Sequence, residues 1–158
     1  MPDTFEIKSY YTNKSILITG CTGFLAKIIL EKIVRTCSDF RKIYVLMRTK
    51  QGVTLEARLQ NEVLSSEMFN ILYERRPELR AIVKERVVAV QGDLGLENLG
   101  MDPKVRAHMI EDLDLIISSA ASINFREHLH DALKTNYFGA VKILEFAHEC
   151  KHLSVLSH

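Results

Sequence analysis

The sequence predicts an α/β fold, a doubly wound parallel sheet with crossover helices, carried as far as the start of a fifth strand. Three observations predict it. Short apolar runs alternate with longer amphipathic stretches along the 158 residues. The runs are apolar throughout, as suits strands buried on both faces. The first run ends directly in a glycine-rich turn that opens a helix.

The elements follow in order. Residues 1–13 read as a polar lead-in, and 14–158 as one domain. Ser15 to Thr19 (Ser-Ile-Leu-Ile-Thr) is the first strand. Leu25, Ile28, Ile29 and Ile33 then recur at helical spacing, with Lys27, Glu31 and Arg35 on the other face. Ile43 to Met47 is the second strand. Leu55 to Leu64 and Met68 to Val83 read as helices, with Pro77 breaking or restarting the second. Arg86 to Gln91 contains the third strand. Asp102-Pro103 starts a helix that runs to about Asp112: aspartate can cap, and proline suits the first helical position. Leu115 to Ser118 is the fourth strand. Ala132 to Glu149 is helical, with Leu133, Tyr137, Val141, Leu144 and Phe146 at mostly helical spacing. Leu153 to Leu156 begins the fifth strand.

The turn Thr19-Gly20-Cys21-Thr22-Gly23-Phe24-Leu25-Ala26 carries the functional signal. Its spacing is G-x-x-G-x-x-A between a strand and a helix. Glycine at 20 permits positive φ, glycine at 23 lets the backbone approach a pyrophosphate, and alanine at 26 lets helix and strand pack closely. The helix N-terminus offers unpaired N–H groups and partial positive charge to phosphates. The plainer alternative is a strand-to-helix turn that needs two glycines. The context favours a Rossmann-type dinucleotide site.

The end of the second strand indicates which dinucleotide. A site for NAD usually has an acid there for the ribose 2′-hydroxyl. This chain has Leu46-Met47-Arg48-Thr49-Lys50. Arg48 can bond a 2′-phosphate, with Lys50 adding a point charge, so NADP(H) is expected. The alternative is a solvated basic loop. After the third strand, Asp93 could accept a bond from the adenine amino group or equally serve a turn. Ser119-Ala120-Ala121 leaves room for ribose and phosphate against the backbone. Asn136 is a poor helix former and could tie neighbouring strand ends together, or could simply be tolerated.

At these residues the chain resembles a known family. Thr19 to Leu25, Tyr44 to Arg48, Gly92-Asp93-Leu94 with Asn98-Leu99-Gly100, Ala120 to Phe125, and Thr135 to Gly139 are similar to segments of the fatty acyl-coenzyme A reductases, extended short-chain dehydrogenases of the male-sterility type. The insert from Leu55 to Val83 also resembles that family. Single motifs fit nucleotide-sugar epimerases or carboxylic acid reductases too. The resemblance implies reduction of a long-chain acyl-coenzyme A to a primary alcohol by two NADPH through an aldehyde. It implies that Gly20, Thr22, Gly23, Phe24 and Leu25 hold the pyrophosphate. Arg48 and Lys50 would receive the 2′-phosphate, Asp93 and Leu94 would contact adenine, and Ala120 and Ala121 would lie on the ribose side. Asn136 completes the set of cofactor-site candidates. Two positions depart from the family: Ala26 stands where glycine is usual, and Ser118-Ser119 where His-Cys is common.

The family's catalytic Ser or Thr, and its later Tyr-x-x-x-Lys, fall beyond the matched positions, and Ser157 does not align with them. Hydride transfer to a carbonyl needs an acid for the developing alkoxide. The expectation is therefore an N-terminal, NADPH-holding portion without catalytic residues, inactive alone and poorly soluble at its open fifth-strand edge. A binding module that senses NADP(H) without chemistry, and another extended short-chain enzyme such as an epimerase, are the alternatives.

Composition sets the remaining bounds. With 47% hydrophobic and 26% charged residues and a net charge of +1, nothing points to nucleic acid. No apolar run reaches a membrane span and no secretory leader is visible. Cys21, Cys37 and Cys150 read as reduced thiols in an intracellular protein. The resemblance would place it on the cytosolic side of a peroxisomal or endoplasmic reticulum membrane. His128 and His130, two apart at a helix start, do not share a helical face, so no metal site is expected. Cys21 reads as a small filler of the turn. Phe69, Leu72 and Tyr73 read as core, with an acyl or protein contact as the alternative.

Overall fold

The computed structural model describes residues 7–124 and 126–158. Phe125 of the resemblance and the first six residues of the lead-in lie outside the described residues. Five strands, β1 (Ser15–Thr19), β2 (Lys42–Met47), β3 (Val87–Gln91), β4 (Leu115–Ser118) and β5 (Val155–Ser157), form one sheet. Its order is β3-β2-β1-β4-β5, and every pairing is parallel. This is the doubly wound arrangement expected. The last strand begins two residues later than the apolar run suggested, because Leu153 packs beside the sheet, against its second core.

Alternation along β1 shows why the run is apolar throughout. Ile16 and Ile18 enter one core, and Leu17 between them enters the other; all three are fully buried. Burying one such side chain stabilises by about 1.5–3 kcal/mol. The first core is closed by α2 (Phe24–Thr36) and by the insert between β2 and β3. That insert comprises α3 (Leu55–Arg58), a wider π-type turn (Leu59–Leu64), α4 (Glu67–Arg75) and α5 (Leu79–Arg86). Pro77 falls in the break between the last two. Phe69, Leu72 and Tyr73 are buried in this core. The lead-in contributes α1 (Ile7–Tyr11), whose Tyr10 and Tyr11 pack on the same core.

The second core lies under α6 (Pro103–Asp112) and α8 (Phe138–Glu149). The start of α6 follows its sequence signal: the Asp102 carboxylate accepts the N–H groups of Lys104 and Val105, with Pro103 in the first turn. Before α8 stand α7 (Leu129–Ala132) and a π-type turn (Leu133–Tyr137). One expectation is corrected here. Of the apolar residues on this long helical stretch, Leu133, Tyr137, Val141 and Leu144 are exposed, and only Phe146 is buried. The face against the sheet is Gly139, Ile143 and Phe146. The sequence carries two apolar stripes, and glycine lets the second come close: a Cβ at Gly139 would lie 3.0 Å from Leu94 Cβ.

Ionic contacts gather at the amino ends of the strands. The Asp114 carboxylate accepts bonds from Lys14 Nζ, the Ser15 N–H and Arg41. Asp112 accepts one from the Tyr44 hydroxyl at 2.8 Å. Burial pushes the Asp112 carboxyl up, but bonds from Ser15 and Tyr44 and the Arg41 charge outweigh it and hold the group below its ordinary value. These contacts leave the carboxyl ends of the strands free for a ligand.

Candidate active site

Strand β1 has β2 on one side and β4 on the other, and the chain leaves it through α2 over one face but arrives at β4 through α6 over the opposite face. At this switch point a crevice opens outside the carboxyl ends, where ligands bind in such sheets. Its volume is about 540 Å³. The lining brings together Gly20, Thr22, Gly23, Arg48, Asp93, Leu94, Ala120 and Ala121.

The glycine turn forms the floor. Gly20 has φ +79°, and a Cβ there would lie 2.9 Å from the backbone of Ser119 and Ala120. The position thus needs glycine both for its conformation and for its approach to the end of β4. Thr19 holds the two strand ends together. It is 1% exposed, and its Oγ1 accepts the N–H groups of Ser119 and Ala120, each at 3.1 Å. The sequence reading placed Thr19 in the strand and missed this clasp. Thr19→Val keeps the shape but leaves two backbone donors without their acceptor, so a loss of about 2 kcal/mol in stability is expected by urea unfolding.

Gly23 precedes α2, and its N–H donates to the Gly20 carbonyl at 2.8 Å. No side chain caps α2, so its first N–H groups are open to an anion. Phe24 and Leu25 belong to this first turn, but their side chains point away from the crevice and are 76% and 61% exposed. What they can offer a pyrophosphate is backbone N–H. Ala26 is buried at 1% exposure. Burial pushes the Cys21 thiol up to about 12, against a smaller opposing effect of Lys27. The thiol is therefore a filler in the turn, without reactive character.

At the β2 end the crevice continues into a side pocket of about 370 Å³, lined by Arg48, Lys50, Asp93 and Arg58 among others. Among the described residues, Arg48 and Lys50 form no salt bridge. Arg58 is the cation that the sequence reading missed. It stands ten positions beyond Arg48, and only the docking of α3 brings it back to donate to the Arg48 carbonyl.

Asp93 combines both roles considered for it. Its Oδ1 accepts the Gly95 N–H at 2.8 Å, a turn contact, while the residue also lines the crevice. A brace behind it was not legible in the sequence. Asn98 and Leu99 have φ 49° and 57°, a left-handed conformation costly to residues with a Cβ. Burial of Leu99 in the second core holds it there, and its carbonyl accepts the Asp93 N–H at 2.7 Å. Gly92 fits against this brace, since a Cβ would lie 2.9 Å from the Leu99 carbonyl oxygen.

Asn136 does not line the crevice. Its side chain makes a two-point bond to the Ser122 backbone, accepting N–H at 2.7 Å and donating to the carbonyl at 2.9 Å. It fastens the loop after β4 to the helix that follows.

Comparison with known proteins identifies the family. The family model described as Male sterility protein, an NAD-binding type, matches residues 18–158. Over 152 residues the chain is 37% identical to a probable fatty acyl-CoA reductase of Arabidopsis thaliana, covering 94% of this chain and 31% of that protein. It is 36% identical to the alcohol-forming fatty acyl-CoA reductase of Simmondsia chinensis, covering 100% of this chain and 32% of that protein. The chain thus spans about a third of the length of these curated relatives. Among solved structures, the terminal R domain of the myxalamid biosynthetic pathway superposes with a TM-score of 0.71 at 30% identity, covering 92% of this chain and 34% of that one. With the glycine turn, the switch-point crevice and these relatives in agreement, the chain belongs to the fatty acyl-CoA reductase family of male sterility proteins and is a nicotinamide-dinucleotide-binding portion of such a reductase.

Proposed function

We propose that the crevice holds NADPH and that the protein reduces long-chain acyl-CoA to a primary alcohol. The observation that carries the cofactor reading is the side pocket, where Arg48, Lys50 and Arg58 stand at the place an NAD site gives to a carboxylate. The residues fit a dinucleotide. Gly20, Gly23 and Gly92 remove the Cβ atoms that would narrow the floor, and the uncapped start of α2 supplies donors for a pyrophosphate. Arg48 and Lys50 neutralise a 2′-phosphate, Asp93 addresses the adenine edge, and Ala120 and Ala121 leave space for ribose. Bound NADPH supplies the hydride. These residues bind and orient it, and none of them is assigned the proton that the product alkoxide requires. The substrate reading rests on the relatives, two of which are named as fatty acyl-CoA reductases.

The test is an assay of the full-length protein with palmitoyl-CoA. Oxidation of two NADPH for each hexadecanol formed is expected. Turnover sustained by NADH alone would count against the cofactor, and failure to consume any acyl-CoA would count against the substrate.

A further inference from the structure

The side pocket contains an anion as well as its cations. Glu62, in the π-type turn, grips the Arg58 guanidinium at two points: Nε donates to Oε1 at 2.8 Å and Nη2 to Oε2 at 2.7 Å. The third nitrogen, Nη1, donates to the Arg48 carbonyl. Three of the five N–H donors are thereby engaged, and two remain for an anion. The Arg58 side chain is only 12% exposed, so it is clamped between helix and strand end, where an ordinary surface pair would be free to move. It lines both the main crevice and the side pocket.

The local geometry explains the clamp. Thr54 caps α3, its Oγ1 accepting the Ala57 N–H at 3.2 Å, which sets the helix start just after the β2 loop. Arg58 ends α3, and the chain widens into π-type bonding from Leu59, a form often found at functional sites. Leu59 and Val63 anchor this turn in the first core while Glu62 faces the cations. The bond from Arg58 holds the Glu62 carboxyl below its ordinary value despite some desolvation, with Lys50 and Lys27 adding to the effect, so the clamp is fully charged near neutral pH.

We infer that Glu62 is a positioning residue for the phosphate pocket: it fixes the Arg58 guanidinium on the pocket rim, and tight binding of NADPH depends on that fixation. The inference rests on the reading of the pocket as the 2′-phosphate site. Its sign is opposite to that of simple electrostatics. A carboxylate beside an anion site repels the anion, so as a spectator charge its removal would tighten NADPH binding. As a clamp its removal frees a long side chain that must then be ordered on binding, and affinity falls.

The experiment measures Kd for NADPH and NADH on the full-length protein and on Glu62→Ala, Glu62→Gln, Arg58→Ala and Arg48→Ala. Glu62→Ala is expected to weaken NADPH by about tenfold and to leave NADH within about twofold, the size of one charge-assisted contact. Glu62→Gln, which keeps one acceptor, falls between. NADPH binding by Glu62→Ala that is unchanged or tighter overturns the inference, and so does an equal loss for both nucleotides. If Arg58→Ala weakens NADPH selectively while Glu62→Ala does not, only the positioning role fails. If Arg48→Ala and Arg58→Ala both leave the NADPH-to-NADH ratio unchanged, the phosphate-pocket reading itself fails.

Discussion

Gly20→Ala is expected to destabilise the protein by about 3 kcal/mol and to remove nucleotide binding. Two costs combine. A left-handed conformation costs a residue with a Cβ about 1–2 kcal/mol. The added methyl also meets the backbone of Ser119 and Ala120 at 2.9 Å, and backbone cannot rotate away as a side chain can. Overpacking of this kind costs about 1–3 kcal/mol. Gly52 separates the two costs, since it has φ +75° with nothing within 4 Å of a built Cβ. Gly52→Ala should lose only the conformational part, about 1 kcal/mol, and keep its binding. Gly23→Ala supplies the converse. Its φ is −81°, and a Cβ would meet only the Gly20 carbonyl oxygen, at 3.1 Å. Little stability should be lost, while a methyl group now stands where a pyrophosphate must approach. Urea unfolding and nucleotide titration of the three variants check this ranking.

Arg48→Ala is expected to weaken NADPH about 100-fold and to leave NADH within about twofold, because the lost contact is a charge-assisted one to the 2′-phosphate. The substitution is clean in one respect. Arg58 bonds to the backbone carbonyl of Arg48, which the variant retains. Arg48→Glu goes further: it repels the phosphate and provides an acceptor for a ribose 2′-hydroxyl, so the preference should turn toward NADH. Loss of both nucleotides to the same extent would mean that Arg48 supports the fold without reading the phosphate.

The parts of the molecule most legible in the sequence are those whose environment is uniform. β1 is buried on both faces, so its apolar run could mean little else, and the glycine turn lies next to it in sequence. The Asp102-Pro103 helix start was equally plain, because capping is a local matter. What escaped notice depends on contacts between distant segments. Thr19 looked like one more strand residue, and its clasp exists only once β4 lies alongside, 100 positions later. Arg58 needed the docking of α3. The brace behind Asp93 needed a buried leucine in a left-handed conformation, which no propensity announces. The helix after β4 failed for a different reason. With two apolar stripes on one helix, periodicity gives the spacing but not which stripe faces the sheet, and the choice fell to Gly139. Asn136 was legible as a tie and less so as a cofactor contact, since both of its amide atoms are spent on Ser122.

The central claim is that the crevice at the end of β1 is built for a dinucleotide carrying a 2′-phosphate. Titration of the full-length protein with NADPH and with NADH, followed by nicotinamide fluorescence at the same ionic strength, tests it most directly. Binding of NADPH at least about tenfold tighter than NADH, narrowing as salt screens the phosphate, is the predicted result. Binding of NADH as tight as that of NADPH or tighter would contradict it.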